Sequence, residues 1–178
     1  MKVDNGYLCI KNFIDKKRAK SLHNEFYDFS KKNNLTGDPQ AENSYCYYNY
    51  LPFLELLCEK TNEVTELIGE TVLPTYNYAR VYLKNSVLIP HRDRLACEIS
   101  LTLHFDGDKN WPFYLYDKEG NKKSIDLESG DAVLYLGAEI THGRDLYNGN
   151  YYSQAFFHYV LSRGKNQKYY FDSGRKVK

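Results

Sequence analysis

The chain has 178 residues and carries 24 Lys and Arg against 23 Asp and Glu, so its formal net charge is +1. A near-neutral chain lacks the excess of cationic side chains that binding to nucleic acid or to an anionic membrane requires, and we expect neither partner. The length fits a single domain over residues 1–178.

The cysteines and the N-terminal residues bear on the cellular compartment. Cys9, Cys46, Cys58 and Cys97 form no C-x-x-C pair, and the chain does not begin with the charged and then apolar layout of a signal peptide. No apolar run approaches the roughly 20 residues that a membrane-spanning helix needs. We therefore expect a soluble, cytoplasmic protein.

Residues 1–70 predict one strand followed by helical support. The segment from 6 to 14, GYLCIKNFI, is short, apolar and rich in β-forming residues. Asp15 can cap the helix that follows, because apolar residues then recur at spacings of three and four. After a polar loop at 33–44, a second helical pattern ends near Gly69, where a left-handed cap is expected.

Residues 71–161 predict a run of short strands. The apolar and aromatic runs are TYNYARVYL, CEISLTLHF, PFYLYD, AVLYLG and YYSQAFFHYVL, and turn residues separate them. Such spacing favours two facing sheets, so we expect a mainly β, jelly-roll core with the N-terminal helices packed on it. Residues 162–178 carry six basic residues against one Asp and predict a solvated, partly frayed tail.

A possible metal site begins at His91 and Asp93. In a strand, residues two apart point to the same face, so both side chains could reach one ion. A third ligand would have to come from His104, His142 or His158. His142 stands out, because it emerges at the rim of the predicted core after a buried strand and a short loop.

Two His and one carboxylate leave coordination positions open, as is typical of non-haem Fe(II) oxygenases. Structural zinc fills all four of its positions, usually with Cys. From the pattern alone, three polar residues with no metal remain the alternative.

A resemblance to a known family rests on longer stretches. The segment ARVYLKNSVLIPHRD, followed 51 residues after His91 by His142, together with LESGDAVLYLG and QAFFHYV, resembles the iron(II)- and 2-oxoglutarate-dependent dioxygenases. It is most similar to the prolyl-hydroxylase-like branch and to small oxygenases of phages and microbes, and the similarity covers most of the chain. The resemblance implies a double-stranded β-helix in which His91, Asp93 and His142 bind iron and Tyr82 faces the cosubstrate.

The resemblance also implies the reaction and its cofactors. Fe(II), 2-oxoglutarate and O₂ would be required, with ascorbate as a further cofactor that the family allows. 2-Oxoglutarate would be oxidised to succinate and CO₂ while an unactivated C–H bond is hydroxylated.

The sequence departs from the family pattern at the cosubstrate site. The family places an Arg or Lys about ten residues after the distal His, but residues 150–154 read NYYSQ. A dicarboxylate needs a charge-assisted partner, for which Arg144 is the first candidate and Arg80 the second, with Gln154 adding a neutral hydrogen bond. Residues 110–112, NWP, replace the Gly-Gly of prolyl hydroxylases and weaken the prolyl assignment specifically.

We therefore expect an oxygenase that acts on a protein or peptide side chain, such as proline, or on a small molecule such as a free amino acid. The alternatives are a cupin-like metal enzyme that uses no 2-oxoglutarate and a non-catalytic module that binds metal or a partner.

Substrate selection is expected in the loops at 33–50 and 106–111. Arg94 and Glu98, four residues apart, can bridge each other or line the substrate mouth. The oligomeric state stays open.

Overall fold

The computed structural model describes residue 3 and residues 5–173. Three α-helices precede most of the strands: α1 (Lys16–Lys32), α2 (Leu51–Glu59) and α3 (Thr61–Ile68). The strands are β1 (Tyr7–Ile10), β2 (Ser44–Tyr48), β3 (Val72–Leu83), β4 (Leu88–His91), β5 (Ile99–Gly107), β6 (Phe113–Tyr116), β7 (Lys122–Ile125), β8 (Ala132–Tyr135), β9 (His142–Arg144) and β10 (Tyr151–Leu161).

The strands form two antiparallel sheets. The larger sheet has the order β1-β8-β5-β10-β3-β2, and the smaller has the order β4-β9-β6-β7. Most neighbouring strands, such as β1 and β8 or β4 and β9, are distant in sequence, as in a jelly roll, so the mainly β core predicted from the strand spacing is confirmed.

Side-chain alternation divides the large sheet into two faces. On β3, Ala79 and Val81 lie in the main hydrophobic core, which also holds Phe26 of α1 and Phe53 of α2. The residues between them, such as Arg80, point to the opposite face, which lines the interior of the jelly roll. The helices thus support one face of the sheet, and the other is left for polar side chains.

Both helix boundaries predicted from capping residues are present. The side chain of Asp15 accepts hydrogen bonds from the first-turn backbone N–H groups of α1, and Gly69 ends α3 in the left-handed region at φ +78°. The single helical pattern expected before Gly69 is instead divided at Lys60 into α2 and α3. The Thr61 hydroxyl donates to the Leu57 carbonyl at 3.0 Å, a local bond that competes with a continuous helix.

Two strands lie where the sequence predicted loops or turns. β2 pairs with β3 at one edge of the large sheet, and β7 pairs with β6 at one edge of the small sheet. Each is an edge strand, for which pairing with a neighbour rather than a strongly apolar pattern decides the structure.

The C-terminal segment is less solvated than expected. A 3₁₀ segment runs over Gln167–Asp172, and the Asp172 side chain is buried. Most residues of 162–173 are exposed, as expected for a solvated tail, but the buried Asn166 and Asp172 anchor the segment, and residues 174–178 lie outside the described residues. Among the described residues, no helix has the length and apolar character needed to span a bilayer.

Candidate metal centre

His91 and His142 are brought together by strand pairing. His91 ends β4 and His142 begins β9, and the two are direct partners in the antiparallel ladder. Asp93 lies two residues beyond the end of β4, where its backbone N–H donates to the Gly137 carbonyl at 2.9 Å. Strand alternation therefore does not orient Asp93, although the expected convergence with His91 is present.

The three side chains converge at one open end of the core. Asp93 Oδ1 lies 3.5 Å from His91 Nε2 and 3.7 Å from His142 Nε2, and the two imidazole centroids are 4.4 Å apart. All three ligand atoms lie within 4.8 Å of one another. The His142 side chain is 2% exposed and that of His91 is 22% exposed, so the group is reached from one side.

Backbone carbonyls orient both imidazoles. His91 Nδ1 lies 2.8 Å from the Ile89 carbonyl, and His142 Nδ1 lies 2.9 Å from the Ile140 carbonyl. A carbonyl oxygen only accepts, so each Nδ1 carries the proton and each Nε2 presents a lone pair. Both Nε2 lone pairs thus face a common position that one metal ion would occupy, and hydrogen bonds of this kind from the other ring nitrogen are typical of metal-binding histidines.

The protonation states of Asp93 and His142 suit metal binding, whereas the pKa of His91 is raised because Asp93 and the Ile89 carbonyl outweigh the effect of burial. Burial opposes the charge on Asp93, but the neighbouring His91, His142 and His158 and the hydrogen bond from Ser100 outweigh it and lower the pKa to about 2. Burial lowers the pKa of His142 and keeps that imidazole neutral. An ionised carboxylate and a neutral imidazole are the forms that coordinate metals.

Gln40 contacts the site from the loop before β2. Its Nε2 lies 2.9 Å from His91 Nε2, and its Oε1 accepts from Arg80 Nη1 at 3.2 Å. Because His91 Nε2 holds the lone pair, the Gln40 amide is the donor. The sequence analysis predicted that this loop selects the substrate, but no pattern in the loop singled out Gln40.

Arg80 lines the same cavity as the three candidate ligands, but a carboxylate already pairs with it. This cavity has a volume of about 320 Å³. Arg80 is 1% exposed, and its Nη2 lies 2.5 Å from Asp38 Oδ2, which also accepts from the Tyr78 hydroxyl at 2.7 Å. The charge of the second candidate for cosubstrate binding is thus balanced within the chain.

Arg144 lies in a separate polar cluster that does not line this cavity. It is fully buried, donates to Gln154 Oε1 at 2.8 Å and to the Trp111 carbonyl, and packs against the Trp111 and Tyr152 rings. Tyr82 borders the cluster, with its ring centroid 4.8 Å from that of Trp111. No carboxylate of the described residues pairs with Arg144, and within the described part of the chain Arg144 Nε and Gln154 Nε2 have no hydrogen-bond partner.

The structure decides between the two alternatives for Arg94 and Glu98. Arg94 does not bridge to Glu98: it pairs with Asp172 and lines the cavity, whereas Glu98 accepts from the Leu161 backbone N–H at 3.1 Å. Trp111 is also buried, and its indole N–H donates to the Asp145 carbonyl at 2.8 Å.

Comparisons with known proteins agree with the fold. No protein-family model matches the sequence, and a search of curated proteins finds no match. Solved structures do match, including a prolyl-4-hydroxylase from Pseudomonas putida (TM-score 0.72, 13% identity, covering 91% of this chain and 95% of that one).

Two further structural neighbours have ligands. HygX from Streptomyces hygroscopicus, with nickel and 2-oxoglutarate bound, has a TM-score of 0.71 and 16% identity and covers 90% of this chain and 85% of that one. A prolyl hydroxylase from Trichoplax adhaerens, in complex with a peptide fragment of hypoxia-inducible factor, has a TM-score of 0.67 and 13% identity, with 87% and 84% covered. The chain thus has the double-stranded β-helix fold of these oxygenases, as the resemblance in sequence implied.

Proposed function

We propose that this protein is an Fe(II)- and 2-oxoglutarate-dependent dioxygenase that hydroxylates an unactivated C–H bond. The observation that carries the proposal is the convergence of His91 Nε2, Asp93 Oδ1 and His142 Nε2 at the open end of the core, with both imidazoles oriented by backbone carbonyls. Iron bound by two His and one carboxylate retains open positions for 2-oxoglutarate and O₂ and supplies the oxidising chemistry.

The protein's own residues prepare the site for the metal. The Ile89 and Ile140 carbonyls hold the protons of His91 and His142 on Nδ1, away from the metal position. Asp93 supplies the negative charge that offsets the charge of a divalent ion. A site confined to one end of the core admits substrate from one side and limits access of water to the reacting atoms.

Arg144 is the residue that we propose binds the far carboxylate of 2-oxoglutarate. Although Arg144 does not line the cavity, it follows His142 by two residues on β9 and is a buried cation with no carboxylate partner among the described side chains. The unpaired donors of Arg144 and Gln154 lie in the same cluster. A buried charge of this kind is stabilised by an anionic ligand. Tyr82 borders the cluster, whereas Arg80 is already neutralised by Asp38.

For the substrate we propose a peptide or protein side chain, such as proline, or a free amino acid. The aromatic rings of Tyr76, Tyr78 and Phe156 line the cavity beside the three candidate ligands, and such walls suit a small, partly apolar group. The neighbour in complex with a peptide fragment supports a peptide substrate.

Anaerobic titration tests the proposal. Fe(II) and then 2-oxoglutarate are added to the purified protein, and chelated 2-oxoglutarate is expected to give a weak visible charge-transfer band. His142→Ala is expected to abolish the band, whereas His104→Asn, a change at a buried imidazole outside the three candidate ligands, should retain it. Metal binding without the band would favour a cupin-like enzyme that uses no 2-oxoglutarate. Binding of both without succinate release under O₂ would favour a non-catalytic module.

A further inference from the structure

The two oxygens of the Asp93 carboxylate have different surroundings. Oδ1 faces the imidazoles of His91 and His142, whereas Oδ2 accepts a hydrogen bond of 2.7 Å from the Ser100 hydroxyl. Ser100 is fully buried on β5, on the interior face of the large sheet. Oδ1 is therefore free to coordinate a metal ion, whereas Oδ2 is held by the Ser100 hydroxyl.

A second hydrogen bond extends this contact to His158 on the neighbouring strand β10. Ser100 Oγ lies 2.9 Å from His158 Nδ1, and both side chains are buried. The carboxylate can only accept, so the single hydroxyl proton of Ser100 is directed to Asp93, and Ser100 Oγ accepts from His158 Nδ1–H. The only other acceptor recorded for this hydroxyl, the Cys97 carbonyl, is farther away at 3.4 Å. The bonds therefore run in one direction, from His158 to Ser100 to Asp93.

Gly137 allows the close approach of Asp93 and Ser100. A Cβ at this position would overlap Ser100 Oγ and lie 2.6 Å from Asp93 Oδ2. The Gly137 carbonyl also accepts from the Asp93 backbone N–H at 2.9 Å. The backbone and the carboxylate of Asp93 are thus fixed by separate contacts.

We propose that Ser100 and His158 are positioning residues that make Asp93 a ligand through Oδ1 alone. This inference rests on the proposed function only in taking His91, Asp93 and His142 as the metal ligands. A carboxylate that binds through one oxygen occupies one coordination position, whereas a chelating carboxylate occupies two. By holding Oδ2 in a hydrogen bond, Ser100 keeps free a coordination position on the metal. Bidentate 2-oxoglutarate and O₂ together require that position.

Cobalt(II) is a suitable probe, because its visible absorption depends on coordination number and its titration gives an affinity. Ser100→Ala is expected to weaken Co(II) binding by about 10- to 100-fold, as for other residues that orient metal ligands, and to change the absorption spectrum. Ser153→Ala is the matched control. Ser153 is also a fully buried serine of the large sheet, but its hydroxyl has no recorded partner.

A pair of substitutions at His158 separates positioning from packing. His158→Asn retains a donor near the position of Nδ1, whereas His158→Leu has a similar shape without the donor. The Asn variant is expected to keep the wild-type cobalt spectrum, and the Leu variant is expected to share the spectral change of Ser100→Ala with about 2- to 10-fold weaker binding. This comparison remains decisive if Ser100→Ala is poorly folded.

Identical cobalt spectra and affinities for wild type, Ser100→Ala and His158→Leu would overturn the inference. Equal effects of His158→Asn and His158→Leu would also overturn it, because packing alone would then explain them. The proposed function is tested separately by the band that 2-oxoglutarate gives with Fe(II). If the wild type gave no such band but Ser100→Ala still altered Co(II) binding, the proposed function would be wrong and the positioning role of Ser100 would stand.

Discussion

Arg94 and Asp172 connect the candidate metal centre to the C-terminal segment. The Arg94 guanidinium donates two hydrogen bonds, of 2.7 and 2.6 Å, to the two carboxylate oxygens of Asp172. Arg94 directly follows Asp93 in the sequence, and its guanidinium lies over the Tyr76 ring at 4.5 Å. Asp172 also accepts from the Tyr48 hydroxyl at 2.7 Å. The C-terminal segment thus supports one wall of the cavity that holds the candidate metal ligands.

Asp172→Asn is expected to lower the free energy of unfolding by about 1–3 kcal/mol, because it leaves a half-buried guanidinium with weaker partners. Urea denaturation measures the change. Glu128→Gln is the matched control, since Glu128 pairs with Lys16 at 2.6 Å on the exposed surface, where solvent screens the pair and its loss should have a much smaller effect. Equal effects of the two substitutions would contradict a structural role for the Arg94–Asp172 pair.

The features that were predictable from sequence depend on local rules. The cap at Asp15 and the left-handed Gly69 follow from backbone chemistry within a few residues. His91, Asp93 and His142 were identified as possible ligands because a short pattern and a family resemblance both included them. Their convergence in the structure agrees with that interpretation.

The features that were missed depend on pairing between distant segments. Gln40 meets His91 across 51 residues, and Ser100 meets His158 across 58. Neither contact has a local pattern, because it arises only when strands and loops far apart in sequence become neighbours. The buried Asp172 was missed for the same reason, since its surroundings are strongly basic in sequence but its partner is Arg94.

Substitutions at the two arginines test the proposed cosubstrate site. Arg144→Gln is expected to raise the Kd for 2-oxoglutarate by about 10- to 100-fold, because a charge-assisted bond to the carboxylate is lost. Arg80→Gln should change this Kd by less than about 3-fold, since Asp38 already pairs with Arg80. Titration of the Fe(II)-loaded protein with 2-oxoglutarate gives both values. The opposite order of effects would assign the carboxylate to Arg80.

Gln40 is expected to compete with the metal for His91. Its amide donates to the Nε2 lone pair that a metal would use, so this bond must break when the metal binds. Gln40→Ala should therefore tighten Co(II) binding by about 2- to 10-fold, the range that corresponds to one ordinary hydrogen bond. Gln167→Ala, at an exposed position in the C-terminal segment, serves as the control. Weaker binding in Gln40→Ala would show that Gln40 supports the site instead.

His104 should make stability depend on pH. Burial, followed by the nearby charge of Arg144, lowers its pKa to about 4, whereas an unfolded His titrates near about 6.5. As the pH falls below about 6.5 the unfolded chain takes up the proton first, so the stability present at neutral pH is progressively lost toward pH 4.

His104→Asn removes this titration and can retain the donor to the Ser153 carbonyl, which His104 Nδ1 contacts at 3.2 Å. Between pH 7 and pH 5 the wild type is therefore expected to lose about 2 kcal/mol more unfolding free energy than the variant. Other groups titrate in both proteins and cancel in this difference. Urea denaturation at the two pH values measures it, and parallel losses in the two proteins would mean that His104 protonates as readily in the folded state as in the unfolded chain.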